Sequence, residues 1–131
     1  MTRKTFLLAA CAAVLMAGAA LADPLEGTWR TAPDDNGNTG LIEVAPCGAA
    51  LCGTLVGAFD SGGTQVVPPD LGRLIIFDTE ARGGGEYRGK VWAPDRDQTY
   101  NSRLMLDGDR LSVSGCVLGI CRDGGSWQRV N

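Results

Sequence analysis

Residues 103–117 read RLMLDGDRLSVSGCV, and this stretch decides the fold. Two alternating runs meet at Asp107-Gly108-Asp109, a turn sequence between β-formers. In the second run Leu111, Val113 and Val117 share one face, while Ser112 and Ser114 share the other. That period of two is the mark of a strand with one face buried and one wet. The pair therefore predicts an antiparallel hairpin.

Working outward, the same grammar recurs in both directions. Short runs rich in Val, Ile, Leu, Thr and aromatics alternate with turn residues, and 19 glycines leave little room for a helix. The sequence predicts eight strands: 26–31, 40–45, 51–59, 73–78, 87–92, 99–106, 110–117 and 126–131. Asn36-Gly37 within DDNGN suits the positive φ angles of a tight turn. GGG at 83–85 marks a sharp break, and SGGTQVVPPDLG at 61–72 reads as a long surface loop kept extended by Pro68-Pro69.

Eight sequential antiparallel strands predict a small all-β, up-and-down barrel, which leaves no exposed sheet edge; a two-sheet sandwich is the alternative. Barrels of this strand number either fill their interior with side chains or hold one small ligand. In a meander, successive loops alternate between the two ends. The loops at 33–38, 60–72, 93–98 and 118–125 then share one end, here called open. Those at 46–50, 79–86 and 107–109 share the closed end with both termini.

The first residues bear on compartment. MTRK is a short cationic start, and FLLAACAAVLMAGAALA is an apolar run ending in Ala20-Leu21-Ala22. Together they have the form of a secretory signal peptide over residues 1–22, leaving one domain over 23–131. Leu8-Ala9-Ala10-Cys11 resembles a lipobox, but few apolar residues precede Cys11 and the apolar run continues past it. The leader carries Arg3 and Lys4 and no acid, so its loss takes the formal charge from −3 to −5. With no basic stripe to offset that charge, nucleic acid is excluded as a partner. After cleavage no segment is apolar enough for membrane insertion. A periplasmic or secreted protein is expected.

The chain has no histidine. Ser-His-Asp and Cys-His nucleophilic sites are therefore ruled out, and most zinc sites lose their usual ligand. Cys47 and Cys52 flank one connection, and Cys116 and Cys121 flank another. Residues flanking a hairpin loop face each other within disulfide range, a Cα separation below about 7 Å. The two hairpins fall at opposite ends of the barrel, so cross-pairing would have to span strands rising about 3.3 Å per residue. The expected bridges are Cys47–Cys52 and Cys116–Cys121. The spacing is not that of a redox C-x-x-C pair, and an oxidising compartment disfavours a four-cysteine zinc site.

Gly27-Thr28-Trp29 near the first strand, with Arg129 near the last, resembles the theme shared by lipocalins and avidins. That likeness implies that Trp29 closes the barrel base and Arg129 packs over it. Fuller stretches are GTWRT (27–31), IEVAPCGAALCGTLVG (42–57), GGGEYRGKVWAPDRDQTYNSRL (83–104) and GCVLGICRDGGSWQRV (115–130). Together they resemble the bacterial family catalogued as domain of unknown function 2147. The resemblance spans nearly all of residues 23–131 and implies a small exported protein with a lipocalin- or avidin-like barrel, without an assigned activity. Where that family often has an Asp-Pro step, this chain has Ala93-Pro94, with Asp95 and Asp97 following.

The segment WAPDRDQTY (92–100) gathers the candidate ligand- or partner-binding residues Trp92, Asp95, Arg96, Asp97 and Tyr100 at the open end. Its D-x-D-x-T spacing lacks the glycine and distal Glu of an EF-hand loop, and a Pro-Asp turn with solvated charges is the simpler reading. Asp34, Asp35, Asn36 and Asn38 similarly read as a hairpin turn. No metal, cofactor or catalytic residue is assigned. The expected function is that of a non-catalytic binding module for a small apolar or amphipathic ligand. The alternatives are a module binding or inhibiting an envelope protein through its open-end loops, with Trp92, Pro68 or Phe59 exposed, and a carboxylate-based enzyme.

Overall fold

The computed structural model describes residues 21–131, so all but the last two residues of the leader read at 1–22 lie outside the described residues. Nine strands follow in order: β1 (Gly27–Arg30), β2 (Thr39–Cys47), β3 (Ala50–Phe59), β4 (Gln65–Val66), β5 (Leu74–Gly83), β6 (Glu86–Ala93), β7 (Gln98–Asp107), β8 (Arg110–Val117) and β9 (Ile120–Arg129). All pairings are antiparallel. Eight strands close into a ring, because β1 bonds both β2 and β9 while β2 bonds β3. The ring is a closed barrel; the sandwich alternative does not apply.

Turn chemistry sets this meander. Gly48-Ala49, Gly84-Gly85 and Gly108-Asp109 connect strands at the closed end with two residues each. Glycine takes positive φ at 65°, 64° and 58° in their first positions. The longer connections lie at the other end, as the alternation of loops requires. Leu118-Gly119 also makes a two-residue turn, with φ of 51° and 78°, the double-positive geometry of a type I′ hairpin.

Three expectations need correction. The 118–125 segment is not a loop: β9 begins at Ile120 and pairs with β8 directly after the turn. Nor is 60–72 free of regular structure, since Gln65 and Val66 double back as β4 onto Phe59 and Ala58. Asp60 organises that return, its Oδ1 accepting from the amides of Gly62 at 3.0 Å and Thr64 at 2.9 Å. Finally, Val117 follows the alternation of Leu111 and Val113 but is 55% exposed, because it lies beyond the packed length of the barrel.

The core is a single cluster. Leu25, Trp29, Ile42, Val44, Leu51, Leu55, Ile76, Tyr87, Leu104, Leu111, Val113 and Trp127 are all buried within it. Two glycines permit close approach. A Cβ on Gly53 would fall 2.6 Å from Ile76 Cγ1, and one on Gly89 would fall 2.7 Å from the Phe77 and Asp78 carbonyl oxygens. The seam between β1 and β9 is short: they pair only at Trp29–Arg129 and Arg30–Gln128. Pro33, which has no amide hydrogen, follows as the chain leaves β1.

Both disulfides join their own hairpins, Cys47 to Cys52 and Cys116 to Cys121. Cys116 and Cys121 stand directly opposite across β8 and β9. Cys52 instead stands opposite Ala45, so the first bridge runs diagonally.

Candidate functional site

The closed end is built from residues 23–29 and the end of β9. Trp29 is fully buried, and its Nε1 donates to the Leu25 carbonyl at 2.9 Å. Arg129 lies opposite Trp29 in the ladder, with its guanidinium carbon 4.3 Å from the ring centroid. Cation–π stacking of this kind contributes about 0.5–2 kcal/mol. The same guanidinium donates to the Glu26 carbonyl at 2.8 Å, to the Pro24 carbonyl, and to Asp109 Oδ1 at 3.0 Å. Tyr87 donates its hydroxyl to Asp23 Oδ1 at 2.6 Å. Burial, reinforced by that carboxylate, pushes the Tyr87 hydroxyl well above its ordinary range.

At the open end the WAPDRDQTY residues separate into two groups. Trp92 closes β6 and is buried, 5% exposed, which corrects the expectation of an exposed aromatic there. Its Nε1 donates to Asp97 Oδ1 at 3.0 Å. Asp97 holds φ at +47°, a left-handed conformation that lets the four-residue turn bring its carboxylate back to the indole. The Arg73 guanidinium carbon lies 3.4 Å from the Trp92 ring centroid, and its Nη2 stands 3.7 Å from Asp97 Oδ1. Arg73 was not among the sequence candidates: it precedes β5, and nothing local links it to an indole on the next strand.

Asp95 and Arg96 remain in solvent, 3.9 Å apart, with side chains 79% and 65% exposed. Tyr100 donates its hydroxyl to Gln98 Oε1 at 2.8 Å and does not join Trp92. Asp34 Oδ1 accepts from the amides of Asn36 and Asn38, both at 2.9 Å, and so shapes the β1–β2 turn. Among the described residues no three acidic or cysteine side chains converge as metal ligands.

What the rim does present is apolar. Leu118 is 97% exposed, Ile120 70% and Val117 55%, all on the hairpin tip stapled by Cys116–Cys121. Leu118 carries φ of +51°, a conformation that costs a branched side chain roughly 1 kcal/mol or more. Val67 and Leu71, at 82% and 47% exposed, stand on the β4–β5 connection, which lies at the same end.

A closed eight-stranded antiparallel barrel with a Trp–Arg pair at its base is a lipocalin-like fold. Through residues 27–129 the chain belongs to the family described as uncharacterized protein conserved in bacteria, DUF2147. Among curated proteins none matches it. Among solved structures it is similar to protein HP1028 from the human pathogen Helicobacter pylori, described as belonging to the lipocalin family. The two are 17% identical with a TM-score of 0.60, over 82% of this chain and 83% of that one. At this identity the likeness is one of fold. Among the described residues no helix is long and apolar enough to cross a membrane.

Proposed function

We propose that this protein is an exported, non-catalytic binding module that recognises an envelope protein through the apolar tip of its β8–β9 hairpin. The observation that carries this reading is the exposure of Val117, Leu118 and Ile120 on a disulfide-fixed turn. Three branched apolar side chains held largely in water by a covalent staple gain little from the fold, whereas a rigid apolar anchor suits partner binding. Two disulfides support an oxidising, extracytoplasmic setting.

The small-molecule reading needs space inside the barrel, and the inward positions are occupied by Trp29, Ile42, Leu55, Ile76, Leu104 and Leu111. One depression favours it in another form. About 320 Å³ lies on the outer wall against Ala45, Pro46, Val56 and Leu74 together with Glu43 and Thr54, room for a small amphipathic ligand.

Native mass spectrometry of the protein isolated from its own envelope discriminates the two. A co-purifying protein lost on replacing Val117, Leu118 and Ile120 by Ser supports the rim reading. A co-purifying small molecule that survives this replacement overturns it in favour of the outer-wall ligand.

A further inference from the structure

We propose that hydrolysis of the Ala22–Asp23 bond makes Asp23 the first residue of the working protein, and that its new α-ammonium pairs with the Glu26 carboxylate to fasten the closed end. The geometry is already in place. The Asp23 amide nitrogen lies 2.6 Å from Glu26 Oε2, and the Glu26 amide donates back to the Asp23 carbonyl at 2.9 Å. Asp23 Oδ1 accepts from the Leu25 amide at 2.8 Å and from the Tyr87 hydroxyl at 2.6 Å. Leu25 is fully buried, and its carbonyl receives Trp29 Nε1.

From Asp23 onward the turn is fixed, residue by residue, to the barrel base. Immediately before it Leu21 is 95% exposed and Ala22 is exposed. The boundary between held and unheld chain therefore coincides with the small-residue ending of the leader-like run.

Cleavage by a leader peptidase adds water across the bond. Its hydroxyl goes to the Ala22 carbonyl carbon, leaving a carboxylate, and Asp23 nitrogen takes up protons to become an ammonium at neutral pH. A neutral amide facing Glu26 thereby becomes a charged donor, and hydrogen bonds to charged groups are the stronger class. The surroundings favour that charge. The Glu26 carboxylate faces it, Tyr87 on β6 donates to the Asp23 carboxylate beside it, and Arg129 on β9, which bonds the Glu26 carbonyl, shares its charge with Asp109.

The ammonium acquires a partner on folding, so its folded pKa rises above the unfolded value of about 8. Its contribution is present near neutral pH, where both partners are charged, and is lost as pH rises through the ammonium's folded value.

The test begins with the intact mass of the exported protein, expected to start at Asp23. Thermal melts then compare the Asp23-start form with a form retaining Ala22, each with and without Glu26→Gln. Retaining Ala22 is expected to lower Tm by about 3–5 °C at pH 7. Glu26→Gln should cost the Asp23-start form a similar shift and the longer form little. The gap between the two starts should close above about pH 9–10. A different first residue, an equal cost of Glu26→Gln in both forms, or a gap that persists at high pH each overturns the proposal.

Discussion

Arg73 lies over the Trp92 ring with its guanidinium carbon 3.4 Å from the centroid. At the other end Arg129 covers Trp29 at 4.3 Å. In both cases the arginine also reaches an aspartate in a turn, Asp97 at 3.7 Å and Asp109 at 3.0 Å. The two ends thus use the same triple of indole, guanidinium and carboxylate, built from unrelated parts of the chain.

The two triples should differ in strength. Arg129 is 23% exposed and donates to two backbone carbonyls, which lose their partner when it is removed. Arg73 is 49% exposed, and its side chain meets the Trp92 ring and Asp97. Arg129→Ala is expected to cost about 2–3 kcal/mol in urea unfolding and Arg73→Ala about 0.5–1. Arg73→Ala should also red-shift Trp fluorescence as Trp92 becomes wet. Equal costs would contradict the asymmetry.

The glycines at 53 and 89 separate soft from hard contacts. A Cβ at 53 meets the Ile76 and Ile42 side chains, which can shift. A Cβ at 89 meets backbone at Phe77, Asp78 and Thr79. Gly53→Ala should cost about 1–2 kcal/mol, and Gly89→Ala about 3 or more, since the β5 backbone must move. Comparing urea midpoints of the two variants checks the order.

Each disulfide closes a ring of the same small size, with four residues between its cysteines. Loop entropy gives each a contribution of about 2 kcal/mol. Replacing either pair by Ser should lower stability by about that amount without unfolding the barrel. Non-reducing peptide mapping should recover two short intrachain loops and no link between them.

Tyr87 gives the fold an alkaline limit. Its hydroxyl titrates above the ordinary value of 10 in the folded protein, because burial and the Asp23 carboxylate disfavour the phenolate. The unfolded chain therefore loses that proton first, and stability falls as pH rises above about 10. Urea midpoints between pH 8 and 11 should show the decline, and Tyr87→Phe should flatten it.

Leu118 links strain to recognition. Glycine adopts φ of +51° without penalty, so Leu118→Gly should raise stability by about 0.5–1 kcal/mol. It also removes the most exposed apolar side chain of the tip. A variant that melts higher yet loses its envelope partner is the expected outcome; one that keeps the partner would place recognition elsewhere.

Much of this architecture was legible before any coordinates. The alternation of Leu111 and Val113 against Ser112 and Ser114, and the parity of the loops, led to a closed barrel with long connections at one end. The spacing of Cys47 with Cys52 and of Cys116 with Cys121 led to the bridges. What escaped reading were relationships that cross strands. Arg73 covers Trp92 because β5 and β6 are neighbours, a fact carried by topology and not by the residues beside Arg73. The start of β9 at Ile120 escaped because Arg122, Asp123, Gly124 and Gly125 are poor β-formers. A two-residue turn and a disulfide impose pairing on them from outside.

The short β1–β9 seam has a further consequence, in the realm of aggregation. Because β1 meets β9 only at Trp29 and Arg30, β9 from Ile120 to Trp127 has no ladder partner on that side among the described residues. Such an edge is a template for stacking further chains. An antiparallel pairing of two copies centred on Arg122 would set guanidinium against guanidinium, and one centred on Asp123 would set carboxylate against carboxylate. Two adjacent opposite charges thus disfavour the two self-pairing registers centred on them.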